Sequence, residues 1–444
     1  MIPVLAVLSA AIYGALAFAG DLTQRPTVLY GGCGLLLAAM WAAWCLSRGG
    51  ATRLRPILAA ALLFRLIAAC GPPALSDDVY RYVWDGRVQL HGIHPYLFAP
   101  TDPRVEALRD ENWRRINHPQ LITIYPPVSQ LLFAALAASG AGPGGFRIAL
   151  GLVDFGVVLA LSLLLRRLGL PGERVVLYAW NPLAVLEASG SGHVEPLGIA
   201  FVLLATAWII GCRHRLSTAA LAAAIHVKLL PVVLIPVFAP SYRIRGVVWL
   251  VLWLLVLWAP YGLSGPAFGA GLWAYAESWE HNSSIFALVE TALVALDSGR
   301  LLEPLVSSVK ERSGAAWVPW DSLYRWLWPP GLARALVAGA GIVWVVAVAR
   351  RDGIPLARRC LLAIGGVLLL SPTLHPWYVL WVLPFAAALL SWPWLVLAAL
   401  VPLSYLGAGA DPPPWVLLVE YGMPCGIVVV DRLARRSTSY AVDR

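Results

Sequence analysis

Phe146-Arg147-Ile148-Ala149-Leu150-Gly151-Leu152-Val153-Asp154-Phe155-Gly156-Val157-Val158-Leu159-Ala160-Leu161-Ser162-Leu163-Leu164-Leu165 runs directly into Arg166-Arg167. A helix of about 20 residues at 1.5 Å each is as long as the hydrocarbon core of a bilayer is thick. A run this apolar, closed by paired arginines, reads as a membrane span with its basic end in the cytoplasm. Runs of the same kind lie at 2–19, 28–46 and 56–70 before it, and at 175–189, 194–211, 246–263, 332–350, 356–371, 377–391, 393–408 and 414–430 after it. Of the 444 residues, 59% are hydrophobic and 13% charged, against about 25% charged in ordinary soluble proteins. That deficit excludes a soluble domain.

Arginine clusters at Arg48/Arg53/Arg55, Arg166/Arg167/Arg174, Arg213/Arg215, Arg243/Arg245, Arg350/Arg351/Arg358/Arg359 and Arg432/Arg435/Arg436 sit beside the ends of the runs and set the threading. The net charge of +9 therefore reports topology and no nucleic-acid partner. Counting 125–139 as a span would carry Arg166 and Arg167 outside, so that segment is expected to be a juxtamembrane helix in the outer interface. Residues 217–239 have arginines on both flanks and a break at His226-Val227-Lys228 with Pro231 and Pro236 behind it, and predict a bent or re-entrant pair of half-helices. The expected fold is an all-α polytopic membrane protein with about twelve transmembrane helices, both termini cytoplasmic. It forms one domain over 1–444, with long outer loops at 71–145 and 263–331 and no internal repeat. The N-terminus lacks the basic region of a cleavable signal and reads as the first span. The six cysteines, Cys33, Cys45, Cys70, Cys212, Cys360 and Cys425, show no metal-ligand spacing and are expected to be small buried hydrophobes.

The first outer loop opens with Ser76-Asp77-Asp78-Val79-Tyr80-Arg81-Tyr82-Val83-Trp84-Asp85-Gly86-Arg87. Adjacent carboxylates repel each other, which raises the proton affinity of at least one and suits it to general-base work. In a helix Asp78, Tyr82 and Asp85 share a face with Arg81. A solvated acidic loop with Asp77 as the helix cap explains the same residues equally well. Further polar insertions fall at the outer ends of other runs: Gly190-Ser191-Gly192-His193-Val194-Glu195, then Glu277-Ser278-Trp279-Glu280-His281-Asn282, then His375-Pro376-Trp377-Tyr378. Their common side predicts one shared cavity. Ionisable residues inside the runs are costly and functional by default; here they are Arg65, Asp154, Glu187 and Lys228. Arg65 either snorkels or holds a phosphate, Asp154 is expected to pair in helix packing, and Lys228 either binds phosphate or pairs structurally.

These residues bear a likeness. The stretch 77–87 with Gly92 and Pro95-Tyr96, then Tyr125-Pro126-Pro127, Trp180-Asn181-Pro182 with Gly192-His193, Lys228 before Pro231, Trp279 with Asn282, and His375-Pro376-Trp377-Tyr378 together resemble the GT-C superfamily of polyprenyl-phosphate-sugar-dependent glycosyltransferases. The likeness is to bacterial mannosyltransferases around glycosyltransferase family 87 and the polyprenol-phosphomannose-dependent enzymes. Members commonly place the acidic loop after the first helix, whereas here two spans come earlier. The resemblance implies an inverting transferase in the cell membrane that moves a hexose, mannose favoured, from a polyprenyl-phosphate donor to a lipid or glycan acceptor on the extracytoplasmic face. Asp78 would be the base, with Asp77 positioning the acceptor or sharing the proton. Arg65, Lys228, His193 and His375 would steady the departing phosphate, and Arg81, Asp85, Arg87, Tyr125, Glu195, Trp279 and Asn282 would complete the binding set. No cofactor is required, with room for a divalent ion, magnesium or manganese, at Asp77. A lipid or sugar transporter and a noncatalytic assembly partner are the competing classes; the first predicts internal repeats and charges near the midplane, whereas the sequence shows no repeat and its polar groups gather at the outer mouth.

Overall fold

The computed structural model describes residues 1–48, 54–262, 267–314, 320–407 and 412–442. Arg53 and the ends of the expected spans at 263 and 408 lie outside them. The chain is all-α, and the β-type contact among the described residues is an isolated parallel bridge between His281 and Thr373. Among the described residues, five helices are long and apolar enough to cross a membrane: Pro26–Ser47, Pro143–Leu168, Leu230–Tyr261, Pro329–Arg350 and Pro414–Arg432. Ile2–Ala17, Leu54–Cys70, Glu195–Ile210 and Leu356–Leu370 add shorter ones.

Several expected spans are interrupted. Residues 175–189 become Val176–Ala179, Pro182–Val185 and a π-helical turn Leu186–Ser191, because Pro182 cannot continue the helix before it. Residues 377–391 become a 3-10 turn Pro376–Trp381 and a helix Leu383–Leu389. These pieces are almost wholly buried, and irregular backbone is tolerated at membrane depth where protein surrounds it. The break expected near Lys228 is present: one helix, His214–Val227, ends there, Lys228 is extended, and Leu230–Leu234 leads into Ile235–Trp258, itself kinked at Arg243. The helix Pro127–Ala138 forms within 125–139 and packs on Asp78–Leu90. Gly86 permits the close approach, since a Cβ there would meet the Phe133 carbonyl oxygen at 2.3 Å.

Two expectations change. The described residues of segment 263–331 form four helices, Ala267–Ser278, Ile285–Ala295, Ser298–Ser313 and Trp320–Leu327, where an outer loop was expected. Only Cys33 and Cys360 are buried, while Cys45, Cys70, Cys212 and Cys425 are exposed on helix faces and ends, all six being free thiols. The intramembrane pair does form. Arg65 is fully buried and reaches Asp154 Oδ2 from Nε at 2.8 Å and Nη2 at 2.6 Å. Its Nη1 donates to the carbonyls of Ala61 and Ala179, and the Tyr178 hydroxyl donates to Asp154 Oδ1 at 2.5 Å.

Candidate active site

The helix Asp78–Leu90 begins at the second carboxylate. Asp77 occupies the N-cap position but makes no side-chain cap bond, stands exposed, and lies off the cavity. Asp78 points into a polar cavity of about 190 Å³ whose walls include Arg81, Asn117, Tyr125, Lys228, Trp279 and His375. Six residues singled out in the sequence thus meet there: Asp78, Arg81, Tyr125, Lys228, Trp279 and His375.

Each wall residue is held by its own local structure. Arg81 is tied through Nε to Asp85 Oδ1 at 2.9 Å and through Nη1 to the Leu121 carbonyl at 3.0 Å. Asp85 is buried behind it and accepts from Thr123 Oγ1 at 2.5 Å and Gln130 Nε2 at 2.9 Å. Lys228 enters from the helix break, ion-paired to buried Glu195 and lying over the Tyr378 ring at 4.2 Å. His375 stacks on Trp377 at 4.3 Å and on His281 at 4.7 Å, as the bridge at Thr373 directs. Trp279 is flanked by His118 at 4.3 Å and Tyr275 at 5.2 Å.

Asp78 Oδ1 accepts from Asn117 Nδ2 at 3.0 Å, and Oδ2 lies 3.5 Å from both the Tyr125 hydroxyl and His193 Nδ1. Burial alone would raise this carboxyl. The His193 contact and charge, the Asn117 amide and the Lys228 charge together outweigh it and hold Asp78 well below the usual carboxylate range. Asp77 moves the other way, raised first by partial desolvation and then by the like charges of Asp78 and Asp21. Desolvation, reinforced by His281, holds His375 well below the ordinary imidazole value. It offers the cavity a neutral ring at neutral pH.

The remaining expected residues stay off this wall. Arg65 spends its guanidinium on Asp154 in the bundle. Arg87 pairs with Asp110 at 2.5 Å and ties the helix Asp78–Leu90 to the segment that follows it. Asp85 and Glu195 are the buried partners of Arg81 and Lys228. His193 is fully buried behind Asp78, and Asn282 is buried against Glu420 at 2.8 Å. Asn117 was missed; it lies 39 residues from Asp78 and no local spacing links them. No group of three or more His, Cys, Asp or Glu able to hold a metal ion occurs among the described residues. Asp77, the residue expected to hold a divalent ion if one is used, stands on the surface outside the cavity.

The cavity has two neighbours. Through Tyr275, Trp279 and Tyr378 it borders an apolar groove of about 630 Å³ floored by Val337, Ala338, Gly341 and Val345. Through His118, Trp279, His375 and Trp377 it borders an open cleft of about 690 Å³ that also bears Gln120, Glu280, His281 and Tyr405.

No curated protein and no solved structure matches the chain. A family profile does: alpha-(1->6)-mannopyranosyltransferase, N-terminal domain, over residues 5–243. That match takes in Asp78, Asn117, Tyr125, His193 and Lys228 and covers more than half of the 444 residues. The chain belongs to the alpha-(1->6)-mannopyranosyltransferase family and is a membrane glycosyltransferase.

Proposed function

We propose that the protein transfers mannose from a polyprenyl-phosphate carrier to a lipid or glycan acceptor at the extracytoplasmic face, with inversion at the anomeric carbon. The observation that carries this reading is the junction of a polar cavity holding an ionised carboxylate with a long apolar groove. A lipid tail fits the groove and leaves its phosphate near Lys228 and Arg81. The open cleft with its aromatic edges then admits the acceptor.

The steps balance without a cofactor. The acceptor hydroxyl attacks the anomeric carbon, its proton passes to Asp78, the bond to phosphate oxygen breaks, and the lipid phosphate leaves as an anion. Lys228 and Arg81 supply charge-assisted hydrogen bonds to that anion. His375, being neutral, contributes a hydrogen bond and no charge, and Asp77 is left to orient the acceptor from the rim. An α-linked product formed by inversion calls for a β-linked donor. Nucleotide sugars are cytoplasmic, whereas the arginine pattern turns the carboxylates outward. The transporter and noncatalytic readings give way to the family assignment.

In proteoliposomes, radiolabelled polyprenyl-phosphomannose is expected to label an added acceptor while a nucleotide-linked mannose does not. Transfer from the nucleotide sugar alone would overturn the donor assignment. The groove has its own test. Ala338 lines it and is exposed, so Ala338→Trp is expected to raise the donor KM about tenfold with kcat little changed, as loss of uniform binding does. A fall in kcat at constant KM would place the tail elsewhere.

A further inference from the structure

Glu187 is a buried acid that the transfer reaction, as described, does not use. It is 1% exposed and belongs to the π-helical turn Leu186–Ser191. Such turns are rare, and they occur frequently at functional sites. The turn is followed by Gly192 at φ 84°, where a Cβ would lie 2.7 Å from Arg147 Cγ, so the sequence admits little but glycine. The effect is to fold His193 back on the acid. The His193 amide donates to the Glu187 carbonyl at 3.1 Å, and His193 Nε2 lies 3.3 Å from Glu187 Oε2.

The ring therefore lies between two carboxylates, with Glu187 facing Nε2 at 3.3 Å and Asp78 facing Nδ1 at 3.5 Å. Trp377 lies flat on it at 4.0 Å and prevents rotation. Glu187 is anchored in turn, since the Tyr405 hydroxyl donates to its Oε1 at 2.7 Å. Other charged or titratable groups around this row, among the described residues, are Asp77, Lys228, Arg147, Tyr125 and His375 on the Asp78 side and Cys33 and Tyr30 beside Glu187 and Tyr405. Burial would lower the His193 pKa, but the two carboxylates outweigh it and push it up to about 9. A structural acceptor at the end of the row needs no charge, and glutamine would serve. A carboxylate is needed only if the imidazole is to remain a cation beside Asp78.

We propose that Glu187 is a positioning residue of the transfer reaction, acting through His193 to fix the carboxylate of Asp78 at the cavity wall, with Tyr405 anchoring the far end. This rests on Asp78 being the base. In full-length protein in proteoliposomes, Glu187→Gln is expected to lower kcat about tenfold or more and leave the donor KM unchanged. His193→Gln should cost at least as much, and the double variant no more than His193→Gln alone, because coupled residues are not additive. Protein labelled with ¹⁵N-histidine gives a second readout. At pH 7.5 the signal that His193→Gln removes should be that of a doubly protonated ring, and in Glu187→Gln that of a neutral one. Effects that multiply in the double variant, an unchanged ring signal, or a kcat near that of the natural protein would each overturn the inference. Should Glu187→Gln fail to insert, Tyr405→Phe takes its place: a several-fold loss of kcat that vanishes in the His193→Gln background supports the row, and an additive loss overturns it. Activity retained by Asp78→Asn would instead remove the base assignment itself.

Discussion

Asp78→Asn is expected to lower kcat by about 10²–10⁴-fold, the range that a positioned general base contributes, while leaving the donor KM within a few-fold. The amide keeps the size of the side chain and can still meet Asn117, but it has no proton affinity to offer the acceptor hydroxyl. In the proposed binding mode the donor's tail and phosphate contact the groove and Lys228 and not this carboxyl, so binding is expected to survive. Asp77→Asn supplies the contrast. Its side chain stands exposed outside the cavity, and its loss is expected to stay below about fivefold. Initial rates over a range of donor concentrations, with insertion checked for each variant, decide between the two carboxylates. A dead Asp77→Asn beside an active Asp78→Asn would exchange their roles.

The second large effect concerns stability. Asp154→Leu would leave the Arg65 guanidinium fully buried without its counter-ion, and Tyr178 without its acceptor. Removing one partner of such a pair costs about 3–5 kcal/mol, whereas replacing both by apolar residues of similar volume is often neutral or stabilising. Thermal unfolding in detergent is thus expected to show a marked loss for Asp154→Leu and a recovery in the double variant with Arg65→Leu. Equal destabilisation in both would mean that the pair does more than balance its own charges.

What was legible in the sequence follows the range of the interactions. The helix at 125–139 and the break at Lys228 are written locally, in arginine placement and in Pro231 and Pro236, and both elements are present. The convergence of Asp78, Trp279 and His375 was readable because the charge pattern is expected to put all three on one side, whereas Lys228 was left between phosphate binding and structural pairing. Partners were not readable. Arg65 looked like a phosphate ligand because its acceptor is 89 residues away. His193 looked like one too, since nothing in the sequence tells a ring in the wall from a ring behind it. The helices of 263–331 escaped notice because polar residues interrupt them, as in Ser298–Ser313 with Arg300, Glu303, Lys310, Glu311 and Arg312.

The parallel bridge of His281 with Thr373 joins two connectors that both lie beyond residue 243, where the family match ends. Tyr275, Trp279, His375, Trp377 and Tyr378, which close the chamber and face both of its entrances, all come from that later part of the chain. During synthesis Asp78 and Lys228 are made first and stay unroofed until that later part of the polypeptide arrives.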